Sequence, residues 1–303
     1  MRMRWRAAAC LALGGVLVLF LAEAGFVRAA AAEALSLCAS SVIPALFPFL
    51  VVSSLLLSLG LGELLSPMLA GLMEPLFRVD GLGSSALLLG LVGGYPIGAK
   101  TAADLYRKGL LSRPEAERLL AFCNNSNPVF LVSVLGSGVF GSVRTGLWLW
   151  LIHVCSALLA GLLFRGLGQG RREIPPPVFF QSSSLSKAIV SAVKDAAGGM
   201  LSVCAFVTLF YVLVSPLSRS GTAMAGLAVG ITELFSLTPL LTCDRPGFLL
   251  AAGCAGWGGL SVLCQTAAVL DGTDLSLRPC FLGKLVQGLL SVLLAAVVSI
   301  WLF

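Results

Sequence analysis

Residues 87–141 read LLLGLVGGYPIGAK, then TAADLYRKGLLSRPEAERLLA, then FCNNSNPVFLVSVLGSGVFG. Two apolar segments are each interrupted by small or polar residues, and a charged connection joins them. Gly93, Gly94, Pro96 and Gly98 stand where an unbroken helix wants Leu or Ala, since Gly and Pro cost about 1 and 3 kcal/mol in a helix interior. Asn124, Asn125, Ser126 and Asn127, followed by Pro128, put polar side chains and a helix breaker into an uncharged run from Leu119 to Val143. Polar groups in hydrocarbon are costly unless paired, so they face protein or a wet cavity. The stretch reads as half of a substrate site.

The composition around it sets the solvent. The 303-residue chain is 58% hydrophobic and 11% charged, with mean hydropathy +0.99, whereas soluble domains carry roughly 25% charge. This is an all-α polytopic membrane protein. Its net charge of +6 reflects Lys and Arg in cytoplasmic loops, and no nucleic acid is expected as a partner. Cys10, Cys38, Cys123, Cys155, Cys204, Cys243, Cys254, Cys264 and Cys280 are scattered with no CxxC pair, and His153 is the only histidine. Such spacing argues against zinc and haem. The thiols read as small buried hydrophobes, and no cofactor is expected. No Ser-His-Asp order, HExxH motif or Walker loop occurs, so an enzyme is not expected either.

Taken in order, residues 1–33 start MRMRWR and hold an apolar stretch from Ala7 to Val27. It resembles a signal peptide, with an Ala-rich site at 29–32, but is also long enough to span at ~20 residues. It reads as an uncleaved anchor with its N-terminus inside. Residues 34–165 form a first membrane repeat. That repeat holds a span from Ala34 to Gly62 kinked by Pro44 and Pro48, an interfacial segment from Glu63 to Asp80, and the glycine-broken segment Gly81 to Ala99. The polar stretch Thr101 to Leu120 carries the N-cap signature Ser112-Arg113-Pro114-Glu115 and predicts a short surface helix. The Asn-bearing segment and a clean span from Thr145 to Phe164 complete the repeat. Residues 166–190, basic and holding Pro175-Pro176-Pro177, read as a cytoplasmic linker. Residues 191–303 form a second membrane repeat. It runs through a span from Ala196 to Ser218, a segment with the acid Glu233, the glycine-rich segment Gly247 to Leu270, a polar loop from Asp271 to Lys284, and a span from Leu285 to Phe303.

Each half thus reads span, broken segment, broken segment, span. If Gly81 to Ala99 crossed the bilayer fully, the basic linker would lie outside, against the positive-inside rule. A re-entrant segment keeps both the 101–120 stretch and the linker inside. The halves are then inverted repeats with broken or re-entrant helices, an arrangement that places binding sites near the midplane of transporters.

The candidate substrate-binding residues of the first half are Gly94, Tyr95, Pro96, Gly98, Lys100, Asn124, Asn125, Ser126 and Asn127. Small polar residues also serve helix–helix hydrogen bonding, but three Asn and a Ser before a Pro exceed what packing needs. Lys100 either snorkels to the interface or draws an anion inward. The second half offers Glu233, Trp257, Ser261 and Gln265. Glu233 is an intramembrane acid, functional by default, as a proton or cation carrier or as a partner for Lys100. Tyr95 and Trp257, each beside glycines, read as interfacial aromatics or as a stacking surface. Ser261 and Gln265 lie four apart on one helix face, behind Gly256, Gly258 and Gly259.

GGYPIGAK at 93–100, CNNSNPVF at 123–130 and GWGGLSV at 256–262 with Gln265 behind it resemble, in that order, the YlbJ (SpoVV) family of sporulation integral membrane proteins. That family lies within the broader nucleoside-recognition, or Gate-domain, membrane proteins. The resemblance covers the chain from about Ser40 to the C-terminus. It implies a role in endospore formation, a place in the outer forespore membrane, and a part in moving dipicolinate from the mother cell toward the forespore. The Gate name implies kinship with nucleoside transporters. Two positions depart from the family pattern: Leu263-Cys264 stand where a His tends to precede the Gln, and Leu-Phe-Ser-Leu-Thr follows Glu233 where an early Thr and a nearby glycine are expected.

Dipicolinate is a small planar dianion. Half-helix N-termini, with about +0.5 charge and free N–H groups, suit its carboxylates. Asn amides add donors, Lys100 sets the field at the entrance, and Tyr95 or Trp257 stack on the pyridine ring. The expected function is therefore a multi-pass transporter of a small organic anion during endospore formation. A non-transporting scaffold of the spore envelope is the rival reading, and a nucleoside or ion carrier the third. The expected partners are the anion and the lipid bilayer, with a homo-oligomer left open.

Overall fold

The computed structural model describes residues 2–168, 185–218 and 223–303. Most of the expected linker, 166–190, lies outside the described residues. All regular elements among the described residues are helices. Five stretches are long and apolar enough to cross a bilayer: Ala24–Ser58, Val143–Phe164, Leu185–Leu217, Arg245–Leu270 and Arg278–Leu302.

Helix α1 (Arg2–Ala22) is followed by α2 (Ala24–Leu37). The break falls at Glu23, and α2 runs on through Ala29–Ala32 and across the boundary expected between residues 33 and 34. Alanine is the strongest helix former, so that run extends the next span. A π-helical turn, Cys38–Val42, leads into α3 (Ile43–Ser58). Pro44 would clash with the carbonyl four residues earlier, and the wider turn just ahead of it accommodates the ring.

Helix α4 (Leu61–Phe77) carries Glu63, Glu74, Pro67 and Pro75. Its axis meets that of the following segment, Gly81–Gly93, at 97°, so α4 does not continue the span. Next come α5 (Ser84–Gly93) and α6 (Ile97–Arg107). A Cβ placed on Gly90 of α5 would lie 2.9 Å from the Cα of Gly98 in α6. The two therefore fold back on each other as a hairpin whose tip is Gly94-Tyr95-Pro96. At 10 and 11 residues, each arm reaches about 15 Å, half the thickness of a bilayer's hydrocarbon core. A half-length hairpin of this kind is the geometry expected of a re-entrant segment.

Helix α7 (Arg113–Leu120) starts at the expected capping box between Ser112 and Glu115. It is not a free surface helix. Glu115 also accepts from the Asp80 amide at 3.1 Å, and Arg118 donates to the carbonyls of Leu167, Gly168 and Arg78. An unwound stretch leads to a long π-helix, Val129–Val139, and then to α8 (Val143–Phe164). The second half follows the same order. It has α9 (Leu185–Ser218), then α10 (Ala223–Thr232) with the short α11 (Leu234–Leu237) turned back so that Leu237 packs on Gly230. The broken pair α12 (Arg245–Trp257) and α13 (Gly259–Leu270) comes next, and α14 (Arg278–Leu302) closes the chain. The sheath α2–α3 packs on α9 through Cys38, Val42 and Leu46 against Ala196, Met200 and Val203. The hairpin tips and broken helices meet inside it.

Candidate functional site

The unwound stretch is where the site begins. The backbone leaves the helix after Leu120 and re-enters it only at Pro128, because Asn side chains compete for backbone hydrogen bonds and Pro128 has no amide to donate. Helices from both halves receive this stretch. A Cβ on Gly90 or Gly98 would overlap the carbonyl oxygen of Cys123, and one on Gly283 of α14 would overlap that of Ala121. Gly98 therefore acts through the space it leaves, not by facing a ligand. At the hairpin tip Gly94 has φ +88° and lies where a Cβ would come within 2.8 Å of the Asn127 Cβ; only glycine meets both demands without strain. Pro96 precedes α6, after a cis peptide bond to Tyr95.

The unwound stretch is held by a buried polar network, in which Asn124 Oδ1 and His153 Nδ1 are left without a partner. Ser126 donates its amide to His153 Nε2 at 3.0 Å, so that nitrogen is an acceptor. Asn125 Nδ2 donates to the Phe122 carbonyl at 2.8 Å, and its Oδ1 accepts from Gln287 Nε2 at 3.0 Å. Asn124 Nδ2 donates to Thr266 Oγ1 at 2.9 Å. At the centre lies Lys284 of α14, 0% exposed. Its ammonium donates to the Asn124 carbonyl at 3.0 Å, to Gln287 Oε1 at 2.7 Å and to the Tyr95 hydroxyl at 3.1 Å. It also sits 4.9 Å from the Tyr95 ring centre, within reach of a cation–π attraction. Tyr95 passes its own proton to the Ala255 carbonyl at 2.8 Å. All acceptors of the ammonium are neutral. Among the described residues no carboxylate lies within ion-pair distance of it.

The second half faces the same point with an acid. Glu233 is 1% exposed and ends α10. One carboxylate oxygen accepts from both the amide and the hydroxyl of Ser236, at 2.6 and 2.7 Å, and so caps α11. Glu233, Tyr95, Ser126, Asn127 and Gln265 line a cavity of about 20 Å³, room for about one water. A larger chamber of about 380 Å³ shares Leu46, Asn127, Phe130 and Phe235 with it and is further lined by Ser41, Tyr211 and Ser236. Its size falls in the range of small-molecule sites. Gln265 donates to Ser261 Oγ at 3.2 Å, so the expected helix-face pair exists, with Gln265 reaching the cavity and Ser261 supporting it.

Three expectations need correction. Lys100 does not face the site: it pairs with Asp104 at 2.9 Å, one turn on in α6, and is partly exposed. It is not the partner of Glu233. Trp257 donates its indole N–H to the Ile231 carbonyl at 2.8 Å and lines an apolar groove with Leu227, Leu250 and Leu289. Leu227 and Leu289 are exposed, so Trp257 stands outside the cavity, whose rings are those of Tyr95, Phe130 and Phe235. The polar loop after Asp271 ends before α14, which takes in Lys284. A lysine whose helix face carries Cys280, Gln287, Ser291, Ala295 and Ser299, all buried, belongs to the interior. That small-and-polar stripe at helical spacing was the available signal for Lys284 and Gln287. His153 gave none, because its run is otherwise apolar. The side-chain nitrogens of Asn124 and Asn125 are already engaged, Asn124 Oδ1 has no partner, and Asn127 uses its oxygen to accept from the Phe130 amide at 2.7 Å.

Comparison with known proteins agrees with this architecture. The family model for nucleoside recognition, the Gate domain, matches residues 39–165, from the π-helical turn to the end of α8. The sporulation integral membrane protein YlbJ of Bacillus subtilis (strain 168) is 29% identical over 290 residues, covering 82% of this chain and 71% of the relative. No solved structure matches the chain. With a Gate-domain match in its first half and that likeness along most of its length, the chain is a multi-pass membrane protein similar to the sporulation protein YlbJ.

Proposed function

We propose that the protein is a carrier for a small organic anion, with dipicolinate as its substrate during endospore formation. The observation that supports this most is Lys284. A buried ammonium loses its hydration at a cost of several kcal/mol, and only an opposite charge or a full set of hydrogen bonds offsets that. Here the bonds are present but the counter-charge is not, so the site has an affinity for an anion still unspent.

Two further features fit. The Tyr95 hydroxyl stands beside the free N-terminus of α13, where a Cβ on Gly258 would lie 3.1 Å from it. A carboxylate taking the place of that hydroxyl would meet the ammonium and unpaired backbone N–H groups together. Tyr95 would then be displaced as a ring able to lie against the substrate. The chamber beside Asn127 supplies the volume, and half-length hairpins able to rock at their tips supply the movement. The cavity at Glu233 is too small for any such solute, so the described arrangement is a closed one.

The test is uptake of labelled dipicolinate, and of labelled nucleosides, into liposomes containing the purified protein. Saturable dipicolinate uptake that Lys284→Met abolishes supports the proposal. Nucleoside uptake in its place would favour the reading that the Gate match carries, and no uptake of either would favour the scaffold.

A further inference from the structure

We infer that Glu233 is a proton site coupled to anion binding at Lys284, so that the carrier moves a proton with each anion. The inference rests on the carrier reading above. It starts from charge balance. Glu233 and Lys284 are both essentially without solvent, and among the described residues neither has an ion-pair partner. Tyr95 links them: it shares the cavity wall with Glu233 and its hydroxyl accepts from Lys284.

An empty site is neutral in either of two ways, with an ammonium and a carboxylate, or with an amine and a carboxylic acid. Both hold the same number of protons. A dianion entering without a proton leaves two negative charges uncompensated; with ammonium and carboxylic acid together, which is one proton more, it leaves one. The conclusion is therefore independent of where the proton rests in the empty protein. An uncompensated charge in this interior costs several kcal/mol, enough to bind the two events together.

The surroundings leave Glu233 as the group that takes the proton: His153, next to Lys284 through Gln287, spends Nε2 on accepting the Ser126 amide and would lose that bond on protonation. Facing Glu233 are Cys38 from the π-helical turn, Cys204 and Tyr211 from α9, Tyr95 from the hairpin tip, and Cys254 of α12 behind Gly230. Thiols and phenols are ordinarily neutral at pH 7. Glu33 reaches Tyr211 but is exposed, as are Lys194 and Asp195 of α9. Helices α10 and α11 and the π-helix Val129–Val139 carry no other titratable group. The 380 Å³ chamber, lined by Ser236 and Asn127, is the route by which water brings the proton.

The test uses the full chain in liposomes with the membrane potential held at zero by a potassium ionophore, and protein-free liposomes as the blank. An interior one pH unit above the exterior should drive labelled dipicolinate inward, by up to about tenfold per coupled proton, since one unit is worth 1.36 kcal/mol. Glu233→Gln should lose this accumulation while still exchanging external for internal label. Glu233→Asp, which keeps the carboxyl, should regain it, and the exposed Glu63→Gln should behave as the parent protein. Uptake indifferent to the gradient, accumulation retained in Glu233→Gln, or accumulation lost equally in Glu233→Asp would overturn the coupling and leave the carrier standing. No uptake of dipicolinate at all would overturn both.

Discussion

The two halves break their helices for different ends. In the first half the gap between α7 and the π-helix is tied down by the protein itself: Asn124 Nδ2, the Asn125 side chain and the Ser126 amide bond to Thr266, Phe122, Gln287 and His153, while Asn124 Oδ1 and His153 Nδ1 stay buried without a partner. In the second half the break at Glu233 borders a cavity, and its acid is met only by Ser236 of its own turn and by the neighbouring Phe235 amide. A break cross-linked this heavily by its neighbours is a rigid abutment. One that opens on space is where solutes and protons can enter. The lesson is that polar density marks the fixed side of such a site, while its working groups are the few with unspent charge, Lys284 and Glu233.

Glycine substitutions put this contrast to the hardest test. Gly98→Ala drives a Cβ into the Cys123 carbonyl, and backbone cannot move aside as a side chain can. We expect a loss of about 3 kcal/mol or more, at or past the top of the usual overpacking range, seen as failure to recover monodisperse protein. Gly258→Ala meets only Tyr95 and Val262 side chains but forces a left-handed φ of +87°, at about 1–2 kcal/mol. A Gly258 variant less stable than the Gly98 one would reverse the assignment of rigid and mobile halves.

Lys284→Met should separate stability from function. An apolar chain of like length removes a buried charge but leaves the Asn124 carbonyl and Gln287 Oε1 without their donor; the two effects oppose, so the melting temperature should change little while anion uptake falls to background. A folded Lys284→Met protein with normal uptake would remove the anion site. Asn125→Ala, on the cross-linked side, removes one of the two oxygen acceptors of the Gln287 amide and should lower stability by about 1–3 kcal/mol. An effect on substrate affinity without that loss would mean the first half contacts the solute directly. The smallest effect belongs to Lys100→Ala. Its pair with Asp104 is a partly exposed i, i+4 contact, worth about 0.3–0.5 kcal/mol, and uptake should not change. Weakened uptake would restore Lys100 to the entrance.

Much of this was legible before any coordinates. The breaks at Gly94-Tyr95-Pro96 and at Asn124–Pro128 declare themselves, because Gly, Pro and Asn each oppose a helix by a local mechanism. The capping box at Ser112 is likewise local. Lys284 was not legible in the same way. Near the start of an apolar helix a lysine reads as a snorkelling end, and only the approach of Ala121 to Gly283 seals it inside. Trp257 failed for the converse reason: the glycines beside it are real breaks, but the direction its ring takes depends on the twist of α12 against α14. Lys100 lies one turn past a true break, and which side of α6 faces inward is set by Gly98, not by charge.

Composition and local chemistry alone determined that this chain lives in a bilayer, where its helices stop, and that the stops fall in the same order in both halves. Those properties depend on each residue's own transfer cost and backbone preference, which neighbours far along the chain do not alter. Which polar groups are saturated, which charge is left without a partner, and that Tyr95 ties Lys284 to the cavity of Glu233 were decided only by the folded chain. Residues 95, 233 and 284 have no local reason to meet; they do so because glycines at 90, 98 and 283 let three helices close on the same unwound strand.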